Sequence, residues 1–208
     1  MSLHRRGPRS ADRVDTTRGG SQLDQLDQLD RAFASTRSVL AKVGPEQLGD
    51  PTPCASWDVR GVIDHMVGSA YWAAAVVGAG GESTGADLAS GDLLAGYDEC
   101  ARVTLAAFGA EGPLRSTFQL PFGEFSGAAL LGLVANDQFT HGWDLARAIG
   151  LPTDLDPELA EVFLERSRDT VTESYRGADG KAQFGPELPA PPGAGPADRL
   201  AAFLGRRV

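Results

Sequence analysis

Cysteine is scarce in this chain: Cys54 and Cys100 are the two among 208 residues, and neither belongs to a Cys-x-x-Cys motif. So sparse a pair excludes a disulfide framework, and both read as reduced thiols. Long apolar runs are missing as well. No stretch approaches the roughly 20 consecutive apolar residues of a membrane span, and the opening residues lack the apolar core of a secretory signal, which points to a cytoplasmic protein. Positive charge is in deficit: the formal net charge is −9 and the acidic residues are scattered rather than blocked. Without a basic patch, nucleic acid and anionic membrane surfaces are excluded as partners. Histidine is rare too, with His4, His65 and His141 making up the whole complement.

What is present reads as helix. Residues 1–20 are polar and basic without apolar periodicity, and are expected to form a disordered leader containing His4. Leu23, Leu26, Leu29, Phe33, Val39, Leu40 and Val43 then recur at helical spacing up to the Gly44-Pro45 breaker. Ser56 or Asp58 can cap a second helix to Val77, with Val59, Val62, Ile63, Met66, Ala70 and Ala74 on its apolar side. After a Gly-rich loop over 78–90, a stripe from Leu93 to Phe108 supplies a third. The Pro- and Gly-containing stretch Phe118 to Phe125 suggests a short hairpin-like excursion. A fourth helix opens at Ser126 or Gly127 and stops at about Ile149, before Gly150 and Pro152. A fifth is predicted over Pro157 to Tyr175. The organisation is therefore a helical bundle over 21–176 and a Pro/Gly-rich tail over 177–208, in which Ala197 to Leu204 can form a short docking helix.

The chemistry concentrates in the run Asn136 to Ala146. Asp137 and His141 stand four residues apart and share a helix face, on an inward line with Leu130, Leu133, Asp144 and Ala148. The second helix carries a corresponding line, Val62, His65, Ser69 and Trp72, with Gly61 and Gly68 allowing close approach. Taken alone, Asp137 and His141 could be a plain helix pair contributing roughly 0.2–0.5 kcal/mol. Two antiparallel helices could instead bring one carboxylate and two imidazoles to a point, and three such ligands make an open metal site. Asp144 could then orient His141 from behind. Cys54 precedes a helix N-terminus, where a thiol can become reactive, although small buried thiols are commoner. Trp57, Trp72 and Trp143 read as core or pocket walls. Glu124 could reach a pocket mouth as a general base, but a solvated loop carboxylate is the commoner outcome.

The segments Thr52-Pro53-Cys54-Ala55-Ser56-Trp57-Asp58-Val59-Arg60 and Ile63-Asp64-His65-Met66-Val67-Gly68 resemble the metal-binding DinB-like superfamily. More narrowly they resemble actinobacterial proteins related to the N-terminal domain of mycothiol-dependent maleylpyruvate isomerase. The likeness continues through Leu120 to Glu124, Asp137 to Ala148 and Asp198 to Arg206. It implies an all-α fold, a four-helix bundle holding a divalent metal through His65, Asp137 and His141. The isomerase pattern has Glu where this chain has Asp137, one methylene shorter. It also has a compact additional domain where this chain has a tail.

The function these readings favour is a mycothiol-dependent S-transferase or isomerase, in which a metal-held thiolate attacks a small electrophile. Zinc is the default ion for the mixed nitrogen and oxygen ligands; nickel, manganese and iron suit the same set. The expected partners are thus a small-molecule thiol and an electrophilic substrate. Homodimerisation is open to such a bundle, with no seam legible. Metal-dependent hydrolysis of a small molecule and a non-catalytic metal or ligand sensor are the alternatives.

Overall fold

The computed structural model describes residues 17–78, 92–121, 123–178 and 180–208, with side chains described from Gln25 onward. The leader expected over 1–20 lies outside these residues, apart from the backbone of 17–20, which opens the first helix. The Gly-rich loop lies outside them except Gly78.

Among the described residues there are six α-helices and one hairpin: α1 Thr17–Leu40, α2 Val59–Val76, α3 Leu93–Gly109, β1 Thr117–Leu120, β2 Gly123–Ser126, α4 Gly127–Ala148, α5 Pro157–Thr170 and α6 Pro196–Phe203. The protein is an all-α, DinB-like bundle with one short hairpin. Helices α1 to α4 form a square in which α1 and α2 each border both α3 and α4. Among the described residues, no helix is long and apolar enough to cross a membrane.

Local chemistry sets the ends of these elements. The Asp58 carboxylate accepts from the Gly61 amide at 2.8 Å and caps α2, and the Ser126 hydroxyl accepts from the Ala129 amide at 3.1 Å and caps α4. The strands pair antiparallel with Phe118 opposite Phe125, so the excursion before α4 is a two-stranded ribbon. Helix α5 ends at Thr170, short of the predicted Tyr175. Thr170, Val171 and Thr172 form a β-branched run that loses rotamer freedom in a helix, and the chain turns extended at Val171.

The core fixes how the helices register. Gln138, fully buried on α4, donates to the Met66 carbonyl of α2 at 2.9 Å and accepts from the Tyr97 hydroxyl of α3 at 2.9 Å. Thr36 of α1 donates to the Gln138 carbonyl at 2.8 Å. This approach requires Gly142, where an added Cβ would lie 2.3 Å from the Thr36 Oγ1. One residue therefore ties α4 to all three partner helices, immediately beside Asp137. Phe139 packs edge-on against Phe163 of α5 at 5.5 Å, and Trp143 donates to Asp198 of α6 at 2.8 Å. Truncating a buried ring such as Phe139 costs about 3–5 kcal/mol in comparable cores.

Candidate metal centre

The path to the site begins ahead of α2. Thr52 donates to the Trp57 carbonyl at 2.8 Å, and Pro51 bridges Asp58, so the 52–57 turn folds back over the start of the helix. Trp57 then stacks on the His65 ring at 4.4 Å with 24° between planes. On α2, His65 and Ser69 are one turn apart; on α4, Asp137 and His141 are likewise one turn apart. With Gln138 fixing the register, the two lines meet.

His65 Nε2 lies 3.1 Å from Asp137 Oδ1, and His141 Nε2 lies 3.5 Å from the same oxygen. The three donor atoms fall within 4.8 Å of one another. Ligand bonds of about 2.0–2.2 Å place neighbouring donors around a tetrahedral ion about 3.3 Å apart, so both measured separations suit a shared divalent ion. The donor chemistry fits too, since imidazole and carboxylate together accept zinc and its neighbours. Ser69 donates to Asp137 Oδ2 at 2.9 Å, which turns the other oxygen toward the two histidines. The shorter Asp side chain reaches the histidines in this arrangement.

His141 is buried, and its Nδ1 lies 2.9 Å from Asp144 Oδ2. With Nδ1–H donated to that carboxylate, Nε2 faces Asp137, carrying a proton while the ring is charged and offering its lone pair once the ring is neutral. Burial works against charge on His141, but the carboxylates of Asp137 and Asp144 outweigh it and raise its pKa to about 9 in the metal-free protein. Burial likewise opposes ionisation of Asp137, yet hydrogen bonds from His141 and His65 hold the carboxyl well below its usual range. Asp144, fully buried, stays ionised for a similar reason: against the burial cost stand the charge of Arg206 and the His141 bond.

Arg206, which closes the family-like segment from Asp198 but carries no expected role, belongs to the site. Its Nε lies 3.3 Å from Asp144 Oδ1 and its Nη2 lies 3.1 Å from Oδ2. Helix α6 sends it there. The Gly205 amide donates to the Ala202 carbonyl and the Arg206 amide to the Ala201 carbonyl, with Gly205 at φ +91°, which is the Schellman termination. The residue after that glycine is usually apolar and packs back on its own helix. Here it is arginine, and this mismatch is the signal from which it could have been found.

The centre opens into a cavity of about 1740 Å³. Trp72 and Leu133, 37% and 39% exposed, line it outward of Ser69 and Asp137. The predicted inward line on α4 is thus corrected at Leu133, which faces the cavity. Gly68 is corrected as well: an added Cβ there would meet nothing within 4 Å, so it widens the space beside His65 rather than permitting helix contact. Cys54 is half-buried on the cavity wall, its sulfur within 4.8 Å of donor atoms of His141 and Asp144. Cys100 is buried on α3, where desolvation pushes its thiol up to about 12. Glu124 is exposed on β2, accepts from Gln119 across the hairpin, and does not line the cavity. Trp57 forms part of the cavity wall and Trp143 belongs to the core.

With this geometry in view, comparison with known proteins gives a family. The model of the mycothiol maleylpyruvate isomerase N-terminal domain matches residues 29–146. The chain belongs to that family. The matched segment runs from within α1 to near the end of α4 and contains His65, Asp137, His141 and Asp144. Two uncharacterized proteins of Mycobacterium tuberculosis, from two strains, are each 41% identical over 190 residues, covering 89% of this chain and 100% of theirs. No solved structure gives a significant match.

Proposed function

We propose that this protein is a divalent-metal enzyme of the bundle type that uses mycothiol against a small electrophile, by S-transfer or isomerisation. The observation that carries the reading is the convergence of His65 Nε2, Asp137 Oδ1 and His141 Nε2 on the wall of a large cavity. A bound divalent ion would supply thiol activation, by lowering the thiol pKa and holding the sulfur as thiolate. Zinc leads the candidates, with nickel, manganese and iron behind it.

The chain's own residues supply position. Ser69 and Asp144 orient Asp137 and His141, and Trp57 covers one face of His65. Ordinary ligand pockets occupy about 300–1,000 Å³. A cavity of about 1740 Å³ has room for a thiol cosubstrate and an electrophile together, which favours a two-substrate reaction. Trp72 and Leu133 offer the electrophile an apolar wall next to the ligands.

The test is calorimetric titration of mycothiol into protein of assayed metal content, metal-loaded against metal-stripped. Binding to the loaded form alone supports thiol activation at the metal. Absence of binding to fully loaded protein would overturn the thiol reading and turn attention to hydrolysis or sensing.

A further inference from the structure

Arg206 lies outside the family-matched residues 29–146, yet it is buried against the one carboxylate that grips the back of His141. We infer that Arg206 is a positioning residue of the metal centre: the C-terminal helix closes an arginine–aspartate–histidine chain that fixes the orientation and tautomer of His141. This rests on the proposed metal-centre reading, although the histidine geometry can be examined without any ion.

A buried Asp144 carboxylate has two oxygens, and the guanidinium spans both while the His141 ring uses Oδ2. That leaves the carboxylate no free rotation, so the plane in which it accepts Nδ1–H is set by Arg206. Arg206 is itself held from the other side. Its Nη1 donates to the Leu204 carbonyl at 3.2 Å, and its amide is locked by the turn at Gly205. Nε2 of His141 therefore points at Asp137 because of contacts made 65 positions away in the sequence, from 141 to 206.

A simpler role would be to dock the tail, and the structure provides a control for it. Arg176 also fastens this region: its Nη1 donates to the Gly185 carbonyl at 3.0 Å and the Phe203 carbonyl at 2.8 Å, and its guanidinium lies over the Phe203 ring. None of those contacts is to Asp144 or His141. Tail docking predicts that the two arginines behave alike; positioning predicts that they differ.

The experiment compares full-length wild type with Arg206→Met, Arg206→Lys and Arg176→Met. Zinc affinity is read by chelator competition, the cobalt(II) absorption spectrum reports coordination, and His141 ring-nitrogen chemical shifts are read in metal-free protein at a pH above about 9, where the ring is neutral. Loss of such a supporting contact lowers metal affinity roughly 10–100-fold. That loss is expected for Arg206→Met, with partial recovery in Arg206→Lys, an altered cobalt spectrum and mixed His141 tautomers; Arg176→Met should keep the wild-type affinity and shifts. If Arg206→Met does not fold, Arg206→Lys carries the test through the same three readouts. Unchanged affinity and shifts in the Arg206 variants, or an equal loss in Arg176→Met, would overturn the inference. Failure of wild type to bind any divalent ion would sink the metal-centre reading, while the metal-free nitrogen shifts would still decide whether Arg206 sets the histidine.

Discussion

Two of the arginine–aspartate forks among the described residues, Arg31–Asp156 and Arg206–Asp144, are built to opposite standards. Arg31 and Asp156 join α1 to the start of α5 with bonds of 2.9 and 2.7 Å, and Asp156 also caps α5 by accepting from the Leu159 amide at 3.1 Å. Their side chains are 36% and 22% exposed. Arg206 and Asp144 meet at 3.3 and 3.1 Å with 10% and 0% exposed, and share the carboxylate with a histidine. The tighter fork stands where water weakens it; the looser one stands where each unsatisfied charge is costly. Buried pairs of this kind are often no more stable than the apolar residues that could replace them. Stability alone therefore explains the outer fork and leaves the inner one to be explained by what it holds.

The comparison breaks most visibly at Asp144. Asp144→Ala strands a buried guanidinium and should cost about 3–5 kcal/mol in denaturant unfolding at neutral pH. A loss under about 1 kcal/mol would show that the inner fork is not an energetically coupled buried pair. Replacing both partners, Asp144→Leu with Arg206→Met, sharpens the contrast. Stability should recover part of the loss, short of wild type by the roughly 1–3 kcal/mol of a buried His141 Nδ1–H left without its acceptor, while zinc affinity stays low. Recovery of affinity together with stability would make the fork merely structural.

At the outer fork the effects are smaller and depend on pH. Asp156→Ala removes a cap and should cost about 1 kcal/mol near neutral pH. Burial opposes ionisation of Asp156, but the Arg31 bond and the Leu159 amide hold its carboxyl below the ordinary value. A depressed carboxyl contributes its full stability above the unfolded value of about 3.9 and loses it as pH falls through the folded value. Wild type and variant should thus converge in melting temperature as the medium is acidified below about pH 4. Arg31→Met is the mildest change, at about 0.2–1 kcal/mol, shrinking further in high salt.

Periodicity made most of the fold legible. The line His65, Ser69, Trp72 and the line Asp137, His141, Asp144 could be read as faces because each follows helical spacing, and the structure brings His65, Asp137 and His141 together. What periodicity cannot express is a contact made by a lone residue arriving from a turn. Arg206 follows a glycine at the end of a short docking helix, and neither the helix nor its family likeness declares which side chain the arginine will meet. Leu133 was misjudged because an apolar residue on a helix line can face a cavity as readily as a core. The role of Ser69 was hidden too, since a serine on a face does not declare which oxygen it will turn.

The Schellman turn at Gly205 has one further consequence, for the order in which the protein is built. The fork needs α6, which follows all four bundle helices along the chain and leaves the ribosome after them. Helices α1 to α4 can find one another first, with His141 facing a carboxylate whose counterion is still missing. Completion of the centre during synthesis is then a late event, and an ion that arrives before the tail has docked meets a looser set of ligands than one that arrives after it.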